Sequence, residues 1–367
     1  MFRICTVTFD HTVNYGSCLQ SYALMRAVFG LKINEEDGIC YDVVPVRKLK
    51  GYPIHSKNYL IRTLKESIVQ SVGYHFRKFA EKYMHFAKCS SVYTLKELNS
   101  QYDCFICGSD VIWNPDHNHN NDAYFLTFAE KYSFAYAASF GKTELSQAYL
   151  NTLQNRLSHL RQISVREADA VRIIEENTNL TAVHTLDPTL LLTSDKWNEI
   201  AEDPKIEDDY IFVYLTHLFP AVERFIAKLH QQTGLKVIYA PYGPKLSLKF
   251  KTYPPSPEKW IGLIRGAKYV VTNSFHGTAF CALYHKIFFT LVQGEFGKGI
   301  YVRMYDFLKE LGLEERIYND VPESIDLAAP FYNGVDDKLE SRRKESLEFL
   351  RENLEQAYKE KMERESD

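Results

Sequence analysis

The sequence predicts an α/β protein made of two doubly wound, Rossmann-like halves, and three observations carry that prediction. Short apolar segments rich in β-branched and aromatic residues alternate with amphipathic helical ones along most of the chain. This order stops at the polar stretch Thr193 to Asp209 and then begins again. Small and polar residues gather directly after the apolar segments, where the carboxyl ends of parallel strands hold ligands.

In the first half, strands are expected at Arg3 to Phe9, Gly38 to Val46, Asp103 to Cys107, Ser133 to Ala138, Gln162 to Val165 and near Thr185 to Leu186. Helices are expected at Ser17 to Phe29, Leu145 to His159 and Glu167 to Asn177, where apolar residues recur at helical spacing. The second half repeats the pattern with strands at Tyr210 to Leu215, Lys236 to Ala240, Tyr269 to Thr272 and Ile287 to Leu291, and helices at Ala221 to Gln232 and Pro257 to Arg265. From Asp336 onward the chain reads as a charged helix that packs along a domain through Leu339, Leu347, Leu350 and Leu354. The expected division is residues 1–186 as an N-terminal domain, 187–330 as a C-terminal domain and 331–367 as the terminal helix. A cleft between two such halves is a common place for substrate.

With 367 residues, 45% hydrophobic and 25% charged at a net charge of −3, the chain exceeds one hydrophobic core and has the profile of a soluble globular protein. Nucleic acid is an unfavoured partner. Seven scattered cysteines fit a reducing compartment, and neither a signal peptide nor an apolar run of membrane-spanning length is visible, so a cytoplasmic location is expected. Cys104 and Cys107 form a CxxC, but on a strand residues three apart point to opposite faces, which opposes a shared metal or a local disulfide. His117 and His119, in NPDHNHNND, read as a solvated loop in preference to a metal site.

The densest polar cluster is VVTNSFHGTAF, Val270 to Phe280, where a strand ends on Asn273, Ser274, His276 and Thr278. A helix beginning there offers free N–H groups to a phosphate or carboxylate beside His276; a helix cap with a hydrogen-bonded loop histidine is the plainer alternative. Asn14, Gly16 and Ser17 form a similar turn after the first strand, without a GxGxxG or P-loop pattern. Gly108, Ser109 and Asp110 follow the third strand, Arg166 ends another, and Asp187 stands at the expected junction. Singly, Asp110 is also a turn former, Arg166 a surface ion pair with Glu167 or Asp169, and Asp187 a helix cap. Together they suggest one shared site.

In order and approximate spacing, NYGSCLQSYAL, DCFICGSDVIWNP, YAASFG, ISVRE, LDPTLLL, VVTNSFHGTAF and RMYDFLKELGLEER resemble the polysaccharide pyruvyl transferase family over most of the chain up to about Arg316. The resemblance implies two Rossmann-like domains in a GT-B-like arrangement. It also implies transfer of a pyruvyl group from phosphoenolpyruvate to a sugar of a bacterial surface glycan, giving a cyclic ketal. By the same resemblance His276 matches the catalytic histidine and Arg166 a basic residue that engages the donor. The chemistry fits: His276 is a suitable general acid for the methylene carbon, Asp110 a candidate base for the acceptor hydroxyl, and Arg166 a two-point grip for an anion. Asn14, Gly16, Ser17, Ser109, Asp187, Asn273, Ser274 and Thr278 are the expected substrate-binding residues. No cofactor or metal is required, phosphoenolpyruvate being a co-substrate.

Some relatives carry an arginine just before the histidine segment, whereas Asn273, Ser274 and Phe275 stand here. Arg303, following Gly297 and Gly299, is the expected replacement, with a surface ion pair to Asp306 as the alternative. Two other functions share the fold: a GT-B glycosyltransferase using a nucleotide sugar, and a non-catalytic member of a glycan assembly complex. Finally, residues 47–88 hold ten Lys or Arg against Glu66 and Glu81, a local net charge of +8. Two helical stretches with basic faces are expected there, suited to acidic residues of the other domain, to the inner membrane face or to the diphosphate of a lipid-linked acceptor glycan.

Overall fold

A computed structural model describes residues 1–9, 13–33, 38–52, 66–118, 120–240, 250–294 and 301–366, with side chains throughout except at 66–72 and 251. Each half contains a parallel sheet. Strands β1 (Phe2–Val7), β2 (Ile39–Val44), β3 (Cys104–Cys107), β4 (Tyr132–Ala138), β5 (Ile163–Val165) and β6 (Val183–His184) lie in the order β2-β1-β3-β4-β5-β6. Strands β7 (Tyr210–Tyr214), β8 (Lys236–Ala240), β9 (Lys251–Thr252), β10 (Tyr269–Thr272), β11 (Ile287–Leu291) and β12 (Ile317–Tyr318) lie in the order β12-β11-β10-β7-β8-β9. The strand order reverses between β1 and β3 in the first sheet and between β7 and β10 in the second. Those reversals open the crevices in which α/β proteins hold ligands, and both lie where the sequence clusters its polar residues.

Helix α1 (Tyr15–Leu31) is buried on nearly every side, because it lies between the first sheet and the helices of the second half. Tyr15 stacks on Trp260 of helix α6 (Pro257–Gly266) at 5.4 Å between centroids and donates its hydroxyl hydrogen to the Pro255 carbonyl at 3.0 Å. This apolar, aromatic junction joins α1 to the second half. The flanking helices are α2 (Glu66–Tyr83), α3 (Gln147–Leu157), α4 (Ala168–Asn177), α5 (Pro220–Thr233), α7 (Phe275–Leu283) and α8 (Val302–Leu311).

The last helix, α9 (Val335–Ser366), returns to the first sheet. Leu339, Leu350 and Leu354 are buried there and Leu347 partly so, each fully buried leucine contributing about 2 kcal/mol to an otherwise charged helix. Tyr132 donates to Asn353 at 3.1 Å, and the Ser346 hydroxyl accepts the Leu186 N–H at 3.0 Å.

Cys104 and Cys107 belong to apolar clusters on opposite faces of the first sheet, as strand geometry requires. The second basic helical stretch stops at Tyr83 and does not continue to Lys88. His85 and Ala87 instead exchange backbone hydrogen bonds with Val43, so sheet-edge pairing overrides helical periodicity. Most of the first stretch lies outside the described residues. Strands β9 and β12, two residues each, were too short to carry a periodic signal. No helix among the described residues is long and apolar enough to cross a membrane.

Candidate active site

Four strand ends build the site. After β10, Ser274 caps α7 by accepting the Gly277 N–H at 3.4 Å, which places His276 in the first helical turn. After β1, Asn14 caps α1 by accepting the Ser17 N–H at 3.3 Å. The second helical residue is Gly16, and a Cβ on it would lie 1.9 Å from His276 Nδ1, so the bare glycine is the seat of the imidazole ring. After β3, Gly108 turns with φ +118° against the Tyr136 carbonyl, where an added Cβ would come within 2.1 Å of the oxygen. This turn delivers Asp110, itself at φ +74°. After β7 come Thr216 and His217, tied to β10 because Asn273 Oδ1 accepts the Thr216 N–H at 2.7 Å and Asn273 Nδ2 donates to the His217 carbonyl at 2.7 Å.

A buried charge network underlies His276. Asp187 Oδ1 accepts the N–H and hydroxyl of Thr189 at 2.9 and 2.7 Å, which fixes the carboxylate. Asp187 Oδ2 receives Arg166 Nη1 at 2.7 Å and stands 3.4 Å from His276 Nε2. Arg166 Nη2 lies 3.8 Å from Asp110 Oδ1. Asp110 also accepts the Ser17 hydroxyl on Oδ2 and the Val111 N–H on Oδ1 at 2.8 Å. Burial alone would raise both acids. The neighbouring His276 and Arg166 overcome it at Asp187 and hold its carboxyl well below the usual range; Arg166 foremost, with His276, Ser17 and Val111, draws Asp110 down as well. Asp187 Oδ2 is thus an anion within ion-pair distance of His276 Nε2, which makes no hydrogen bond of its own among the described residues.

Above this network is a cleft of about 340 Å³. Arg47, Asp110, His117 and Lys142 line it from the first half, and His217, Asn273, His276 and Arg303 from the second. Arg303 lies with Cζ 6.0 Å from the Phe275 ring centroid, and Arg166 sits on the same ring at 5.0 Å. Arg303 Nε and Nη1 are buried without a hydrogen-bond partner, and burial together with Arg166 pulls its pKa down to about 10. A cation with orphaned donors and a like-charged neighbour is suited to an incoming anion. A larger cavity of about 580 Å³, lined by His75, Phe79, Tyr253 and Glu258, contains none of these groups; converging polar chemistry, not size, distinguishes the site.

The sequence profile of polysaccharide pyruvyl transferases matches residues 14–293, a span that includes Asn14, Asp110, Arg166, Asp187 and His276. The chain belongs to the polysaccharide pyruvyl transferase family. No curated protein matches it at the sequence level. Among solved structures, a Listeria monocytogenes protein assigned as a UDP-N-acetylglucosamine 2-epimerase superposes with a TM-score of 0.50 at 9% identity, covering 97% of this chain and 90% of its own. The UDP-GlcNAc 2-epimerase of Neisseria meningitidis bound to UDP-GlcNAc gives 0.47 at 10% identity, with coverages of 94% and 100%. An E. coli heptosyltransferase with ADP gives 0.39 at 13% identity, with coverages of 93% and 100%. The Listeria likeness is one of fold, and it places this pyruvyl transferase family member among α/β proteins of GT-B-like arrangement.

In this family member Asn14, Ser17, Asp110, Asn273, Ser274, His276 and Arg303 converge on the cleft. Gly16 lies beneath the His276 ring. Asp187 lies behind, buried, and positions the histidine. Three of the expected residues lie behind the cleft wall instead of lining it. Arg166 has a 1% exposed side chain that bonds Asp187 at 2.7 Å and faces Asp110 at 3.8 Å, with Nε and Nη2 buried without a hydrogen-bond partner among the described residues. Ser109 is buried and donates to the Ala137 carbonyl at 2.8 Å, holding the β3 turn to the sheet. Thr278 is buried two residues past His276, on the other side of α7, and shares a hydrogen bond with Thr290 at 3.0 Å, joining α7 to β11. Among the described residues no carboxylate lies within ion-pair distance of Arg303, so the pairing with Asp306 is not formed.

His217, Arg47 and Lys142 were missed. Thr216 and His217 carried the same signal as the other clusters, a polar pair directly after a strand. Arg47 carried it too, standing directly after the expected strand Gly38 to Val46, but was counted only in the basic stretch 47–88; Lys142 carried none, since its place beside the cleft depends on the folding of an intervening loop. His117 lines the cleft, and its former companion His119 lies outside the described residues.

Proposed function

We propose that this protein transfers the pyruvyl group of phosphoenolpyruvate to a sugar of a bacterial surface polysaccharide or its lipid-linked precursor, forming a pyruvate ketal. The observation that carries this reading is His276, backed by the Asp187 carboxylate and sharing one cleft with the orphaned donors of Arg303. Arg303 grips the donor's phosphate or carboxylate, and the N-terminus of α7 adds its partial positive charge. Arg47 and Lys142, across the cleft, are suited to the donor's other anionic group. His276 donates its proton to the methylene carbon, which becomes the methyl group. One sugar hydroxyl adds to the carbon bearing phosphate and carboxylate. A second hydroxyl then displaces phosphate and closes the ring.

Thermal shift with phosphoenolpyruvate and with a panel of nucleotide sugars tests the donor. The expected stabilisation is about 2.7 kcal/mol at a hundred times the dissociation constant. Stabilisation by a nucleotide sugar alone would favour glycosyl transfer. The basic region 47–88 is proposed to meet an anionic membrane surface or a diphosphate-linked acceptor. Part of its charge is engaged within the molecule, Lys82 approaching Glu258 at 3.8 Å and Lys78 pairing with Glu81 at 3.0 Å. Co-sedimentation with anionic but not neutral vesicles, lost at high salt, is the expected result; indifference to vesicle charge would remove the membrane role.

A further inference from the structure

Asp110 is poorly placed to receive a proton. Its Oδ2 accepts Ser17, its Oδ1 accepts Val111 N–H, and Arg166 faces it from behind. A carboxylate so engaged, and held below its usual pKa, is a weak base. The cleft holds a better candidate.

His217 follows β7, the strand paired in parallel with β10, so the two strand ends bring His217 and the His276 segment to one wall of the cleft. Its tautomer is set by a chain of hydrogen bonds. Asn273 Nδ2 donates to the His217 carbonyl, which fixes the amide so that Oδ1 is an acceptor. Oδ1 receives both the Thr216 N–H and, at 3.2 Å, the Thr216 hydroxyl hydrogen. With its one hydrogen used, Thr216 Oγ1 presents a lone pair to His217 Nδ1 at 3.0 Å. With the Thr216 hydroxyl hydrogen directed to Asn273 in this way, Nδ1 carries the ring hydrogen and Nε2 keeps the lone pair; that tautomer is part of the proposal.

We infer that His217 is the general base of this site, taking the proton of the first acceptor hydroxyl at Nε2 while His276 supplies a proton to the methylene carbon. The inference rests on the pyruvyl-transfer reading. The step balances. The hydroxyl oxygen bonds to the ketal carbon as its O–H bond breaks toward Nε2, and the alkene electron pair takes the His276 proton. The second hydroxyl then forms the other C–O bond, the C–O bond to phosphate breaks, and that hydroxyl's proton leaves with the phosphate. The charged and titratable groups around His217 are Arg303 of α8, His276 of α7, Tyr301 and, across the cleft, Asp110, Asp116 paired with Lys142, His117 and Arg47. His217 is exposed on the cleft wall, and partial desolvation there, followed by the charge of Arg303, draws it below the ordinary histidine value.

The test uses the full-length protein, phosphoenolpyruvate and sugars bearing 1,2- or 1,3-diols, with phosphate release as the readout. His217→Gln should retain the thermal stabilisation by phosphoenolpyruvate while acceptor-dependent release falls roughly 10²- to 10⁴-fold. The native kcat/KM should fall on the acid side of about pH 6.5 as the base protonates, and this limb should vanish in the variant. Thr216→Val, which removes the partner of Nδ1, should be slower than native, and Thr216→Ser should restore the rate. A His217→Gln rate within a few-fold of native, a persisting acid limb, or equal rates for native and Thr216→Val would each overturn the assignment. Native protein that releases no phosphate with any acceptor would instead defeat the underlying reading, and with it this one.

Discussion

Gly16→Ala separates folding from catalysis at this site more sharply than a substitution of any ionisable group. Gly16 occupies the second position of α1, where alanine is favoured over glycine by up to about 1 kcal/mol of helix propensity. The added Cβ, however, would stand 1.9 Å from His276 Nδ1, 2.4 Å from Cγ and 2.6 Å from Cε1. Restoring ordinary van der Waals separation requires the ring to retreat by about 1.5 Å. On its other side Nε2 already stands 3.4 Å from the fixed Asp187 carboxylate, so the ring must turn out of its seat. A displacement of about 1 Å costs on the order of 10²-fold in rate, and loss of the general acid up to about 10⁴-fold. The assay pairs phosphate release from phosphoenolpyruvate plus acceptor with a thermal melt. The expected variant melts within a few degrees of native and turns over at least a hundredfold more slowly. A Gly16→Ala protein with near-native turnover would refute the argument that this glycine seats a catalytic ring.

Three further outcomes follow from the same geometry. Arg303→Ala should raise the donor KM roughly tenfold or more through loss of a charge-assisted grip, while the melting temperature stays level or rises, because the guanidinium is buried with unpaired donors; an unchanged KM would remove Arg303 from donor binding. Asp187→Asn leaves Arg166 without its strongest buried partner and should cost about 3–5 kcal/mol in urea unfolding; a loss under about 1 kcal/mol would show that Asp110 alone can hold Arg166. His159 and His184 are held below the ordinary histidine value, His159 by burial and His184 by burial and then Arg342. As pH falls through about 6.5 the unfolded chain binds protons that the folded state refuses, so stability is full above that pH and declines below it, by up to about 1.4 kcal/mol per pH unit for each histidine. Asp187 and Asp110, with depressed values, add loss in the same direction only below about pH 4. A urea midpoint equal at pH 7.5 and 5.5 would contradict this.

The parts of this protein that were legible in sequence are those with a local signature. The strands Lys236 to Ala240 and Tyr269 to Thr272 were read to the residue, because buried parallel strands are short apolar runs with polar ends. The helix after the first strand was read two residues short at each end, since the Asn14 cap and the left-handed Lys32 terminus are backbone features without periodicity. In the site, His276 and Asp110 were visible as polar residues after strands. The role of Arg166 was not, because a basic residue after a strand looks the same whether it faces a ligand or neutralises buried carboxylates. Gly16 was read as a place for backbone to approach an anion, whereas it admits a side chain from the other half of the molecule. Only the packing of α1 against α7 shows that, and no spacing within one segment encodes it.

Pyruvyl transfer with His276 as the acid is tested by following phosphate and ketal together. Native protein, phosphoenolpyruvate and a diol-bearing glycan should release one phosphate for each ketal methyl group seen by proton NMR. His276→Ala should slow both by roughly 10²- to 10⁴-fold while keeping the native melt. Ketal formation at the native rate by His276→Ala, or no ketal from any acceptor while a nucleotide sugar stabilises the protein, would contradict the account.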